Sequence, residues 1–178
     1  NCVITQEESR SISQNVTWGH RKRFADGKVY MPYKRFLGYE RGKDGMPRIV
    51  ESEAAIVRHI YQLYLHGTTV RDICKALTDA GIPTPGGKKQ WAVSTVISIL
   101  ENEKYAGNAL LQKKYCEDFL TKKMVKNEGQ VPQYFVTDSH PAIISQEVFD
   151  FVQTEIAKNR VLGKGRSGCS PFADIITC

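Results

Sequence analysis

Apolar positions recur along the chain with a helical period in four places. In ESEAAIVRHIYQLYLHG, Ile56, Ile60, Leu63 and Tyr64 form a stripe, Ser52 is placed to cap, and Gly67 suits a left-handed stop. This pattern predicts a first helix. TVRDICKALTDAGIP predicts a second, with Val70, Ile73, Cys74 and Leu77 on one face, Asp72 three residues after a Thr69 cap, and Gly81 and Pro83 ending it. After TPGGKKQW comes a third, short helix with Val93, Val96, Ile97 and Leu100 on one side and Ser94, Thr95, Ser98 and Asn102 on the other. Ser145 caps a last helix, QEVFDFVQTEIAKNR, which buries Phe149, Val152 and Ile156 and sets Lys158 and Arg160 against its C-terminal dipole.

Between these lie β-leaning runs. FLGYERGKDGMPRIV reads as a hairpin about Gly-Lys-Asp-Gly. The stretch from Lys104 to Tyr115 and the run QYFVTDSHPAII supply two more strands that pair as a wing, and CEDFLTKKMVKNEGQVP between them reads as a polar, cationic, mobile loop. Residues 5–19 predict a mostly polar helix, the end of a longer one, and VLGKGRSGCSP reads as linker. The expected fold is α+β and mainly helical: a helix-turn-helix-like three-helix core with a β-hairpin or small antiparallel sheet and a basic N-terminal arm. The eleven residues from Gly81 to Trp91 exceed the usual three or four of such a turn, so an expanded variant is expected.

Composition adds the compartment and the partner. At 41% hydrophobic and 25% charged residues the chain is ordinary for a globular protein, and no apolar run approaches the ~18 residues of a membrane span. Five cysteines, at positions 2, 74, 116, 169 and 178, lack a secreted disulfide pattern, so the reducing cytoplasm is expected. With Asn at position 1 and no leader pattern, the sequence reads as a piece of a longer polypeptide.

The net charge of +6 is concentrated. Between His20 and Arg48 lie nine cations (Arg21, Lys22, Arg23, Lys28, Lys34, Arg35, Arg41, Lys43, Arg48) and three anions, leaving 16 of each elsewhere. One segment therefore holds the whole excess, as a phosphate-tracking arm would, although a charge run is as often a solvated face. Phe24, Tyr30, Tyr33, Phe36 and Tyr39 interleave with these cations in an extended, irregular arm; they either stack on unpaired bases or, the reading favoured, pin the arm to the domain.

The third helix and its approach carry the candidate chemistry. Lys88 and Lys89 precede a helix N-terminus, whose amides also attract phosphate, and Trp91 braces the entry. Ser94, Thr95 and Ser98 are short polar groups able to meet base edges, as is Gln90. Nothing nominates a catalyst: no nucleophile elbow surrounds the serines or cysteines, Cys74 belongs to an apolar stripe, and His59 and His66 are too far apart for the i,i+4 metal pairing. No acidic cluster suggests two-metal chemistry, and no complete metal site is present.

Two motifs resemble a known family. QEESRSISQNVTWGHRKRF and IVRHIYQLYLHGTTVRDICKALTDAGIPTPGGKKQWAVSTVISILENEKYAGNALLQKKY resemble the C-terminal DNA-binding region of large serine recombinases, the integrases of phages and conjugative elements. The resemblance implies a catalytic serine domain before Asn1; Ser11 and Ser13, in ESRSISQ, match the connecting helix rather than the nucleophile. It implies that His20 to Lys28 cross the minor groove while the third helix occupies the adjoining major groove. It also implies a zinc ribbon beginning near SPFADIITC, with Cys178 as its first ligand. Zinc would then belong to the full-length protein, with no cofactor in this portion. One departure is Ala92, where relatives often carry a hydroxyl residue or a cation.

The expected organisation is the end of a connecting helix over 1–19, a basic arm over 20–35, the DNA-binding domain over 36–160, and linker plus the start of the ribbon over 161–178. The expected function is sequence-specific binding of double-stranded DNA at attachment sites, without strand cleavage by this portion, self-association resting with the full-length protein. Arg21, Lys22, Arg23, Lys28, Lys88 and Lys89 would contact phosphates, and Gln90, Ser94, Thr95 and Ser98 base edges. A helix-turn-helix transcriptional regulator is the nearest alternative, and a single-stranded RNA-binding module a more distant one.

Overall fold

The computed structural model describes residues 31–116 and 123–162, together with Ser11, Asn15, Trp18, Gly19, Lys22 and Val29. It divides into two compact units, 31–107 with the C-terminal segment from 140, and 108–139 with the N-terminal thirty residues. The architecture is α+β, as expected. The expected arm cations Arg21, Arg23 and Lys28, and Cys178, lie outside the described residues.

The larger unit opens with a 3-10 helix, Tyr33–Arg35, and an antiparallel hairpin of β1 (Tyr39–Arg41) and β2 (Pro47–Ile49), paired Tyr39 to Ile49. Three helices follow: α1 (Glu51–Leu65), α2 (Val70–Asp79) and α3 (Val93–Leu100). A fourth, α4 (Gln146–Leu162), returns later in the chain and extends two residues into the stretch read as linker. The helix ends follow the sequence closely. Gly67 and Gly81 take positive φ, and each stop is closed by two backbone hydrogen bonds, Gly67 N to Tyr64 O with Thr68 N to Leu63 O, and Gly81 N to Thr78 O with Ile82 N to Leu77 O. Thr69 Oγ1 accepts from Asp72 N at 3.2 Å, and Ser145 Oγ accepts from Val148 N at 3.4 Å.

Three readings of the helices are corrected. Ser52 does not cap α1: the helix starts from the Val50 carbonyl, which accepts from Ala54 N at 2.8 Å, leaving Ser52 exposed inside the first turn. The buried face of α1 is Ala54, Val57, Ile60 and Tyr61, so Ile56, Leu63 and Tyr64 flank it. The small Ala54 lets the hairpin approach, and Gly38, at φ +91°, fits because an added Cβ would lie 2.6 Å from Ile143 Cδ1. In α3 the buried arc is Val96, Ile99 and Leu100, while Val93, in the first turn, is 39% exposed.

Tyrosine hydroxyls fasten the core. Tyr61, fully buried in α1, donates toward the carbonyls of Ile99 and Leu100 at 3.2 and 3.1 Å, and Gln153 Nε2 of α4 also donates to Leu100 O, at 2.7 Å. The C-terminal carbonyls of α3 thereby gain side-chain donors, Ile99 O in addition to Asn102 N at 3.3 Å. Phe36 and Tyr39, 8% and 2% exposed, stack with Tyr105, the Phe36–Tyr105 centroids 5.0 Å apart. These two aromatics pin the chain to the domain. The segment from Met31 to Arg41 is thus a 3-10 helix and a hairpin strand rather than an irregular arm, and Lys22 is helical.

In the second unit β3 (Ala109–Leu111) pairs antiparallel with β6 (Tyr134–Val136), the expected wing. Tyr105 instead falls in a 3-10 helix, Glu103–Ala106. The polar stretch read as loop contributes a strand: β5 (Met124–Lys126) pairs with β4 (Lys114–Cys116). Only Val125 of β5 is even half-buried, so three residues give no legible alternation. Among the described residues no helix is long and apolar enough to cross a membrane.

Candidate nucleic-acid interface

The approach to α3 is held by one indole. Trp91, buried between α2 and α3 in sequence, donates from Nε1 to Ile82 O at 2.8 Å, and its backbone N–H donates to Thr78 Oγ1 at 3.1 Å. The loop between folds onto Thr84, whose Oγ1 accepts from Lys88 N at 2.9 Å and whose N–H donates to Lys88 O at 2.9 Å. Eleven residues are accommodated because the loop satisfies its own backbone. Lys88, Lys89 and Gln90 emerge from it exposed.

From there α3 presents its polar side. Ser94 and Ser98 are exposed and Thr95 half-buried, opposite the buried Val96, Ile99 and Leu100. The N-cap is Ala92, which supplies no side-chain bond; its carbonyl accepts from Thr95 N at 2.9 Å and from Val96 N at 3.2 Å. Ser94, Thr95 and Ser98 line an open cleft of about 430 Å³, whose other walls are Thr84, Pro85, Gly86 and Lys88 of the loop and Arg35 of the 3-10 helix, with Phe36 and Tyr105 between. Asn102, expected on the polar face, lies beyond the helix end, where its Oδ1 accepts from Lys104 N at 3.3 Å; it also lines the cleft.

The structure thus brings Lys88, Ser94, Thr95 and Ser98 around one concavity and places Lys89 and Gln90 beside Lys88 in the chain. Lys22 lies in the other unit, exposed, its Nζ 5.3 Å from the Trp18 ring. Sequence reasoning missed Arg35 as a companion of α3. It was counted among the basic residues, but no spacing rule links it to a helix almost sixty positions later. Thr84 was missed too, although Thr-Pro-Gly-Gly is a turn signal that marks it.

Cys74 and His140 are structural. Cys74 is buried, and burial pushes its thiol up, away from the thiolate. His140 is buried against the Tyr39 ring and hydrogen-bonded to Lys104 O; desolvation pushes its pKa down despite that bond. Among the described residues no group of three or more His, Cys, Asp or Glu side chains could hold a metal ion.

Solved structures share this fold. One, described as a crystal structure of an LSR–DNA complex, is 23% identical with a TM-score of 0.56; 81% of this chain is covered, and 38% of that one. Another, concerning the sequence requirements of the Listeria innocua prophage attP site, is 23% identical with a TM-score of 0.53, covering 81% of this chain and 52% of that one. The chain spans about half or less of the structures it matches. The family model Recombinase matches residues 51–159, more than half of the sequence, from the first residue of α1 almost to the end of α4. The chain belongs to the Recombinase family and carries a fold found in large serine recombinases.

Proposed function

We propose that this chain binds double-stranded DNA, reading an attachment site of a mobile element as the DNA-binding portion of a site-specific serine recombinase. The observation that carries it is the cleft: a short helix with a buried back and a hydroxyl-bearing front, flanked by the exposed cations Lys88 and Arg35. Membership of the Recombinase family supports the same reading, as do similar structures that concern an LSR with DNA and a prophage attP site. In this reading α3 enters the major groove, where Ser94, Thr95, Ser98 and the nearby Gln90 meet base edges. Lys88, Lys89 and Arg35 hold phosphates, joined by Arg21, Lys22, Arg23 and Lys28 of the N-terminal segment.

Strand cleavage falls to a serine outside this sequence, and self-association and zinc belong to the full-length protein, which works in the cytoplasm. Single-stranded RNA binding through the aromatic residues finds no support at Phe36 and Tyr39, whose rings are buried in the core. Footprinting on the junctions of the element that encodes the chain tests the reading, with Ser94→Ala and Thr95→Ala measured on matched and altered sites. Each substitution should change preference between duplexes by ~1 kcal/mol or more at the position it reads. Equal losses on every duplex would exclude base readout by those side chains.

A further inference from the structure

The unit of residues 108–139 holds a ribbon that the α3 site does not use. Strand pairing sets Lys114 directly opposite Lys126, and Cys116 opposite Met124. All four side chains are exposed, whereas Tyr115 and Val125 on the alternate face are half-buried. Like charges directly opposite one another across an antiparallel pair repel. The exposed Lys113 and Lys123 flank the pair. Lys126 reaches the exposed Glu128, Nζ to Oε1 3.6 Å, a solvated contact that offsets little of this. The segment between the strands, outside the described residues, contains Glu117, Asp118 and Lys122.

The base of this self-repelling ribbon is nevertheless firmly built. Asn127, 3% exposed, donates from Nδ2 to Gln112 O at 3.0 Å and to Val131 O at 2.7 Å, while its Oδ1 accepts from Gly129 N at 3.0 Å and Val131 N at 3.3 Å. Its own N–H donates to Lys113 O at 2.8 Å, closing the ribbon beside Lys114. A buried amide with all its donors and acceptors engaged holds one conformation, so less ordering remains when a partner binds. Among the described residues, Lys114 faces Lys126 and the acidic contact of the pair is the solvated Glu128; a row of phosphates would supply further counter-charge.

We propose that the β4–β5 ribbon is a second duplex-DNA contact, in which Lys114 and Lys126 rest on neighbouring backbone phosphates. It rests on the DNA-binding reading above and extends it with a sequence-independent contact from a different unit. The test compares the full chain, Lys114→Gln/Lys126→Gln and Lys88→Ala/Lys89→Ala on a mixed-sequence duplex across a salt series. The ribbon variant should flatten the slope of log affinity against log salt by about 2, and Lys114→Gln alone by about half as much. Without DNA its melting temperature should not fall, because a repulsion has been removed.

If the wild type binds and the loop-lysine variant is impaired while the ribbon variant keeps the full slope, the ribbon proposal is overturned and the α3 reading stands. If no protein shows salt-dependent duplex binding, both fall. A loss confined to single-stranded RNA would overturn the duplex assignment.

Discussion

His140 shows how a single residue ties the core to solution conditions. Its ring lies edge-on to Tyr39, 5.2 Å between centroids, and bonds to the Lys104 carbonyl; burial outweighs that bond, so the pocket favours the neutral imidazole. The folded-state pKa is therefore below the unfolded value of about 6.5. Unfolding takes up a proton between those two values. The stability His140 contributes is complete above about pH 6.5 and declines as pH falls toward the lowered folded pKa. Urea midpoints should drop on acidification through this window in the wild type and drop less in His140→Gln, whose amide can still donate to Lys104 O. Equal acid sensitivity in both proteins would show that His140 is not the group responsible.

At the scale of elements, the loop before α3 depends on Trp91. Trp91→Phe keeps most of the apolar ring but leaves Ile82 O without its indole donor. A loss of about 1 kcal/mol or more is expected in chemical denaturation, the cost of a half-buried acceptor losing its donor. A change under about 0.5 kcal/mol would mean that the indole does not brace the loop. Helix ends were legible in the sequence because caps and stops are local chemistry: Thr69, Ser145, Gly67 and Gly81 each act where they stand. The buried face of α1 was less legible, since Ala54 is buried where Gly38 of the hairpin segment approaches it, a contact the period alone does not show. β5 was illegible, with one half-buried side chain in three residues.

For the whole molecule, the sequence exposed the polar face of α3 and the loop lysines but not the cleft. That concavity exists because the 3-10 helix carrying Arg35 is held nearby, through Phe36 stacking on Tyr105, far along the chain. A long-range aromatic contact, invisible to periodicity, converts a hydroxyl-bearing helix face into a walled surface with cations on two sides. The β4–β5 ribbon was hidden for the opposite reason: its composition is that of a loop, and only strand register reveals the facing lysines.

The most direct test of duplex binding is fluorescence anisotropy of the intact chain against a salt series, with wild type and Lys88→Ala/Lys89→Ala side by side. The account predicts tight, salt-sensitive binding by the wild type at low ionic strength and, in the variant, a slope shallower by up to about 2 on every duplex sequence. An unchanged slope would remove these lysines from the interface, and a wild type with no attraction to duplex at low ionic strength would contradict the account altogether.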